Sequence, residues 1–187
     1  MAVNTSPGLQ RIAMSLEEFR RLPEKPKAEW VDGVAVIHSV PPVWDHSSLQ
    51  SSMCVWFGTH LPGLLVGSEA EVWLPADRLR VPDVAVVERP PAGDRLDATI
   101  DPPLIVVEVL SPTTRGEDLI RKSPEYAAAG IAQYWVVDPD EPSIEVNHLV
   151  DGQWRSVAKV TPEAPTSGFA VPGHGEVELD FREIFRR

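Results

Sequence analysis

Apolar and polar positions follow two rhythms along this chain. Where apolar residues recur every three or four positions, the pattern predicts helices. SLEEFRRL, residues 15–22, sets Leu16, Phe19 and Leu22 on one stripe, with Ser15 and Glu18 spaced as a capping box. Leu49, Met53, Trp56 and Phe57 predict a second helix from about Asp45 to His60, with Asp45 as its candidate cap. A third helix is predicted across 114–129, opened by Thr114 and Glu117 as a capping box and closed by Gly130. Pro124 should break or kink it just after Lys122, leaving Ser123 to cap a second short helix.

Elsewhere the rhythm is that of strands. LLVGSEAEVWL, a turn at PADR, RVPDVAVVE, a loop through the prolines near 90–103, and LIVVEVLS follow in series. QYWVVDP reads as a short apolar strand. Asp32-Gly33 within AEWVDGVAVIHS and Asp151-Gly152 between SIEVNHLV and WRSVAKV are hairpin signals. LDFREIF predicts a last helical turn. The element order is that of an α+β fold, a mixed central β-sheet flanked by helices.

Composition narrows the class. A chain of 187 residues, 43% hydrophobic and 24% charged, fits a single globular domain, 1–187. No apolar run approaches the roughly 18 residues that span a bilayer. MAVNTSPGLQRIAMS lacks the apolar core of a signal peptide. The lone Cys54 excludes an internal disulfide framework, reads as a small core residue and fits a reducing cytoplasm. Seventeen basic against 28 acidic residues give a net charge of −11, which disfavours nonspecific affinity for nucleic acid over the whole surface. A local basic groove stays open, since arginines recur at 78, 80, 89, 95, 115 and 121.

The candidate chemistry begins with Glu108 inside LIVVEVLS. Alternation puts Leu104, Val106, Glu108 and Leu110 on one face, and Asp83, Ala85 and Val87 on one face of RVPDVAVV. If those strands pair with Asp83 near Glu108, two carboxylates converge, repel and resist ionisation. A divalent cation relieves them, and Mg²⁺ takes a few carboxylates plus water and phosphate oxygens. Each acid alone reads more readily as an edge charge or a salt-bridge partner; the two together bring the metal reading level with that one. On the following helix Leu119, Lys122 and Tyr126 share the apolar side. Lys122 then balances the acids or acts at phosphorus; the alternatives are a lysine snorkelling to water and a surface pair with Asp118. His38, His60, His148 and His174 show no metal spacing. The six tryptophans read as core or sheet residues.

These stretches together resemble a known family. RVPDVAVV, PPLIVVEVLSPTTRGEDLIRK and EYAAAGIAQYWVVDP, with MSLEEFRRLPE and AEWVDGVAVIHSVPPVWDHSSLQ before them, are similar to the Uma-two family of restriction endonucleases, in the PD-(D/E)XK nuclease superfamily. The resemblance covers a core of about 14–140, and the C-terminal hairpin and tail, 141–187, more loosely. It implies a restriction-endonuclease-like core, helix–three strands–helix–strand, and Mg²⁺-dependent (or Mn²⁺-dependent) hydrolysis of phosphodiesters, DNA first among substrates. By resemblance Asp83 and Glu108 are the metal ligands, and Lys122 is the lysine displaced from the usual position two residues after the second acid, here Leu110. Glu29 and His46 match further recurrent residues and are possible additions to the site. Ala35 departs from the pattern where an acid often follows the hairpin glycine. The expected partner is nucleic acid, with a homodimer expected if both strands of a duplex are cut. Two other readings remain: a catalytically inactive binding module of the same fold, and a phosphoesterase with another substrate.

Overall fold

The computed structural model describes residues 4–6, 8–23, 27–41, 43–90 and 102–185. Most of the loop expected near 90–103, Arg95 included, lies outside them. Among the described residues there are two six-stranded sheets and one two-stranded hairpin.

The first sheet gathers β1 (Asn4–Ser6), β2 (Leu9–Ala13), β3 (Ala28–Val31), β4 (Val34–His38), β6 (Val72–Leu74) and β7 (Arg78–Arg80), in the order β1-β2-β4-β3-β7-β6. β3 and β4 form the expected hairpin. Asp32 and Gly33 both hold positive φ, 51° and 82°, as a two-residue turn matching strand twist requires. Between β2 and β3 lies α1 (Leu16–Phe19), with the expected capping box complete: the Glu18 N–H donates to Ser15 Oγ, and the Ser15 N–H to the Glu18 carboxylate.

The second sheet carries the site. β5 (Leu64–Ser68), β8 (Val84–Glu88), β9 (Ile105–Val109), β10 (Gln133–Asp138), β11 (Ser143–Val150) and β12 (Gln153–Val160) run in the order β12-β11-β10-β9-β8-β5. Only β9 and β10 pair in parallel among these neighbours; the other pairs are antiparallel. The chain enters from α2 (Trp44–His60), lays down β5, β8 and β9, crosses through a helix, and returns as β10. This is the expected helix–three strands–helix–strand order, with one correction. LLVGSEAEVWL is not one strand, and neither is RVPDVAVVE. Each divides between the sheets, so β6 and β7 form an excursion. The excursion closes on itself: the Glu69 N–H donates to the Asp83 carbonyl at 3.1 Å. Alternation reports that a segment is extended, not which sheet it joins.

β9 is buried at all five positions. Ile105, Val107 and Val109 face a core formed with α2, the hairpin β13 (Thr166–Val171) and β14 (Gly175–Asp180), and the terminal turn α4 (Phe181–Ile184). Val106 faces a second core with Ala85, Tyr126, Tyr134 and Val72. Leu104, just before the strand, packs against the first core rather than sharing the Val106 face as alternation suggested. Each buried aliphatic contributes about 1.5–3 kcal/mol, so the strand is fixed from both sides. The β13–β14 hairpin and β1–β2 have no counterpart in the expected elements.

Both later helices differ from expectation at their ends. α2 starts one residue early, with Val43 as its N-cap, so Asp45 lies inside the first turn and makes no cap bond. Trp44, expected in the core, is 88% exposed. The crossover helix is not broken at Pro124. Glu117–Lys122 form a π-helical segment that runs into α3 (Ser123–Ala128). The Ser123 N–H donates five residues back, to the Asp118 carbonyl, and this widening before Pro124 gives its ring room within a continuous helix. Ser123 is itself helical and caps nothing. The expected Thr114–Glu117 box is absent because Glu117 turns inward to Arg80. The wider turn also changes which residues share a face. Asp118, Lys122 and Tyr126 point inward, while Leu119, expected among them, is 38% exposed. Gly130 closes the helix at φ 78°, as expected.

Candidate functional site

Register creates the site. Val84 stands opposite Val107 and Val86 opposite Ile105, so the same antiparallel ladder carried one step further sets Asp83 against Glu108. The Val109 N–H donates to Asp83 Oδ2 at 2.8 Å and locks that end of the ladder. Asp83 and Glu108 both line a pocket of about 590 Å³ whose walls include Lys27, His46, Asp118 and Lys122.

Lys122 reaches the acids. Its Nζ lies 3.1 Å from Glu108, 3.0 Å from Asp118 and 3.2 Å from Glu29, and the side chain is 1% exposed. It neither snorkels nor forms a surface pair. Burial lowers the affinity of this amine for its proton, but Asp118, Glu108 and Glu29 outweigh that and raise its pKa well above the ordinary value. Lys122 therefore stays charged across the physiological range. Tyr126 adds a hydroxyl donor to Glu108 Oε1 at 2.7 Å.

The two acids differ electrostatically. Burial pushes Glu108 up to about 8; Lys122 opposes this, while Asp118 and Asp83 add to it. Burial would raise Asp83 as well, but the His46 hydrogen bond and the Lys27 and Lys122 charges hold it below the usual carboxylate range. Lys27 Nζ sits 3.1 Å from Asp83 Oδ1, and His46 Nε2 sits 3.2 Å from Oδ2. His46 is thereby brought to the site on the first turns of α2, where Gln50 also donates to the Asp83 carbonyl at 2.9 Å. His46 Nδ1 is buried with no hydrogen-bond partner among the described residues, and the same holds for His38 Nε2. Both histidines line the pocket.

Glu29 stands apart from the pair. It accepts from Arg80 at 2.9 Å and from the Val81 N–H at 3.0 Å, and it backs Lys122 from outside the pocket wall. Burial raises its pKa, but Lys122 and Arg80 hold it down to about 2. Arg80 also bonds Glu117 and, in a two-pronged contact, Glu125, and Arg11 pairs with Glu117. This network ties the crossover helix to the first sheet. Ala35, where the resemblance led to the expectation of an acid, is fully buried. Of the other arginines that left a basic groove open, the described ones are engaged within the chain: Arg78 pairs with Asp32, Arg115 with Asp138 and Arg121 with Glu117, and Arg89 donates to carbonyls.

Three residues of the site escaped the sequence. Lys27 is an isolated lysine in a proline-bounded loop and carries no signal. Asp118 has the spacing of a surface pair. Tyr126 was visible as an inward residue, but not as a partner of Glu108.

The donors suit a hard divalent cation. Glu108 Oε2 accepts no hydrogen bond among the described residues, and an acid raised to about 8 is one that a cation would ionise. No group of three or more His, Cys, Asp or Glu side chains is placed to enclose a metal among the described residues. Two carboxylates, with water and phosphate oxygens completing the sphere, are the Mg²⁺ pattern and not that of a closed zinc cage.

An acid pair at the ends of adjoining antiparallel strands, with a helix and a parallel strand following, fits the restriction-endonuclease-like core that the family resemblance implied. A crystal structure described as a "putative nuclease belonging to DUF820" from Anabaena variabilis matches with a TM-score of 0.74 at 22% identity, covering 92% of this chain and 97% of that one. At that identity the likeness establishes the fold. The chain belongs to the Uma2 family, described as "Putative restriction endonuclease", which matches residues 16–174. No curated protein matches the sequence. Among the described residues no helix is long and apolar enough to cross a membrane.

Proposed function

We propose that this protein is a metal-dependent endonuclease that hydrolyses phosphodiester bonds, with DNA as its first candidate substrate. One observation carries the reading: Asp83, one step beyond the Val84–Val107 pair, and Glu108 lie on the wall of one pocket, with Lys122 3.1 Å from Glu108.

Asp83 and Glu108 would hold Mg²⁺ or Mn²⁺. Such an ion supplies a more acidic bound water and neutralises charge on the phosphate oxygens. The chain's own residues do the rest. Lys122, held charged by Asp118, Glu108 and Glu29, orients the attacking water and offsets negative charge building at phosphorus. Asp118 and Glu29 hold its Nζ in place. Lys27 and His46 fix the Asp83 carboxylate. Water forms the new oxygen–phosphorus bond, and the opposite ester oxygen leaves with a proton.

A catalytically inactive module is the rival that a specific observation favours. Lys27 and Lys122 already pair with the two acids, and the chain carries a net charge of −11. Incubation with plasmid, single-stranded DNA and RNA, with Mg²⁺, Mn²⁺ or chelator, separates the readings. Metal-dependent cleavage that disappears in Asp83→Ala supports the nuclease. Absence of cleavage on every substrate, or cleavage unchanged in Asp83→Ala, rules it out.

A further inference from the structure

The two oxygens of Asp83 are engaged unequally. Oδ2 accepts from the Val109 N–H at 2.8 Å and from His46 Nε2 at 3.2 Å. A carboxylate oxygen offers about two lone pairs, so Oδ2 is filled. Oδ1 faces Lys27, whose Nζ lies 3.1 Å away. Glu108 is also engaged on one side. Its Oε1 accepts from Lys122 Nζ at 3.1 Å and from the Tyr126 hydroxyl at 2.7 Å, and its Oε2 accepts no hydrogen bond among the described residues. The oxygens open to a shared cation are therefore Asp83 Oδ1 and Glu108 Oε2, and the first of them carries a competitor. A divalent cation and an ammonium on one buried oxygen repel strongly, so each tends to exclude the other.

Lys27 has a second place to go. Glu69 Oε1 lies 3.4 Å from the same Nζ, and the Glu69 side chain is 47% exposed. Lys27, Glu69, Asp83 and Glu108 all line the one pocket. Glu69 holds φ at 51°, in the left-handed region that favours glycine. Its N–H donates to the Asp83 carbonyl at 3.1 Å, so two acids tied together at the neck of the β6–β7 excursion share one lysine. The Lys27 backbone is pinned as well, its carbonyl accepting from the His38 N–H at 2.9 Å. The flexible four-carbon stem is what can carry the ammonium from one acid to the other.

We propose that Lys27 competes with a divalent cation for Asp83, and that Glu69 receives the Lys27 ammonium when the cation binds. The contact that fixes Asp83 beforehand is then the one that yields, and His46 and the Val109 N–H keep the carboxylate in place afterwards. Lys122, on the other oxygen of Glu108, stays where it is. Metal uptake thereby acquires a threshold set by the chain's own lysine. The inference rests on the metal reading of Asp83 and Glu108.

Calorimetric titration of the full chain with Mn²⁺, without nucleic acid, tests it. Lys27→Met should bind Mn²⁺ about tenfold or more tightly than the wild type. Glu69→Gln should bind it several-fold more weakly. The same substitution in the Lys27→Met background should change little, because no ammonium is left to receive. Lys27→Gln serves as a second variant if Lys27→Met fails to fold, with circular dichroism as the check. An affinity no tighter in the Lys27 variants than in the wild type overturns the proposal and leaves the metal reading standing. An equal loss from Glu69→Gln in both backgrounds marks a general charge effect and also overturns it. No Mn²⁺ uptake by the wild type or by either Lys27 variant overturns the metal reading, and the proposal with it.

Discussion

Replacing Lys122 by methionine tests the electrostatic design of the site most severely. The side chain keeps its length and loses its charge. In the wild type that charge lies within 3.2 Å of Asp118, Glu108 and Glu29, three carboxylates each no more than 2% exposed. Removing one partner of a buried ion pair typically costs about 3–5 kcal/mol, because the remaining charge is left uncompensated. For a domain of this size each kcal/mol lowers Tm by roughly 2–4 °C, so the expected drop is roughly 6–20 °C. The loss should depend on pH with a definite sign. Without the lysine Glu108 and Asp118 lose the charge that opposes their burial, so their folded-state pKa values rise further above the unfolded ones, while Glu29 keeps Arg80 and the Val81 N–H. Stability tied to such groups is complete below the unfolded pKa and is lost as pH rises through the folded one. The gap between wild type and variant should therefore be widest at alkaline pH and narrow on acidification. Calorimetry in chelator, across a pH series, reads both quantities. A Tm change of no more than about 2 °C at neutral pH, flat across the series, would refute the reasoning.

Glu108→Gln should abolish metal-dependent cleavage yet leave Tm within about 2 °C, because the amide replaces an acid that is largely neutral below about pH 8 in the absence of metal. A cleavage assay beside a thermal melt separates the two effects. Metal should stabilise the protein in a pH-dependent way. The contribution of Glu108 is complete below its ordinary 4.5 and is lost as pH rises through about 8, so the Tm gain from Mn²⁺ should be larger above that value than one or two units below it. Arg80→Lys should cost about 1–3 kcal/mol in urea unfolding, since an ammonium cannot reproduce the two-pronged contact with Glu125 while bonding Glu29 and Glu117.

Much of this could be read from local pattern. Asp32-Gly33 and Asp151-Gly152 announced their hairpins because both turn residues must take positive φ, and they do. Glu108 announced itself because a carboxylate in an otherwise apolar run demands compensation, and Lys122 followed because a lysine on an inward helix face demands the same. What escaped is nonlocal. Nothing at Ser68–Val72 or Arg80–Val84 says that the chain is changing sheets. Pro124 was legible as a disturbance, but the widened turn that absorbs it depends on Asp118 and Ser123 together, and it moves Leu119 out and Asp118 in. Lys27 meets Asp83 from a loop more than fifty positions away. The positions of Asp83, Glu108, Lys122 and His46 follow from the structure, while the ion that Asp83 and Glu108 would hold rests on the chemistry of the donor set.

That ion is therefore where the account is most exposed. Crystals soaked in Mn²⁺ and measured at the manganese edge answer it directly. The account requires an anomalous peak in the pocket bonded to both Asp83 and Glu108, and its disappearance in Glu108→Ala crystals. A peak elsewhere, or an empty pocket at saturating Mn²⁺ with Lys27 and Lys122 still paired to the acids, would contradict it.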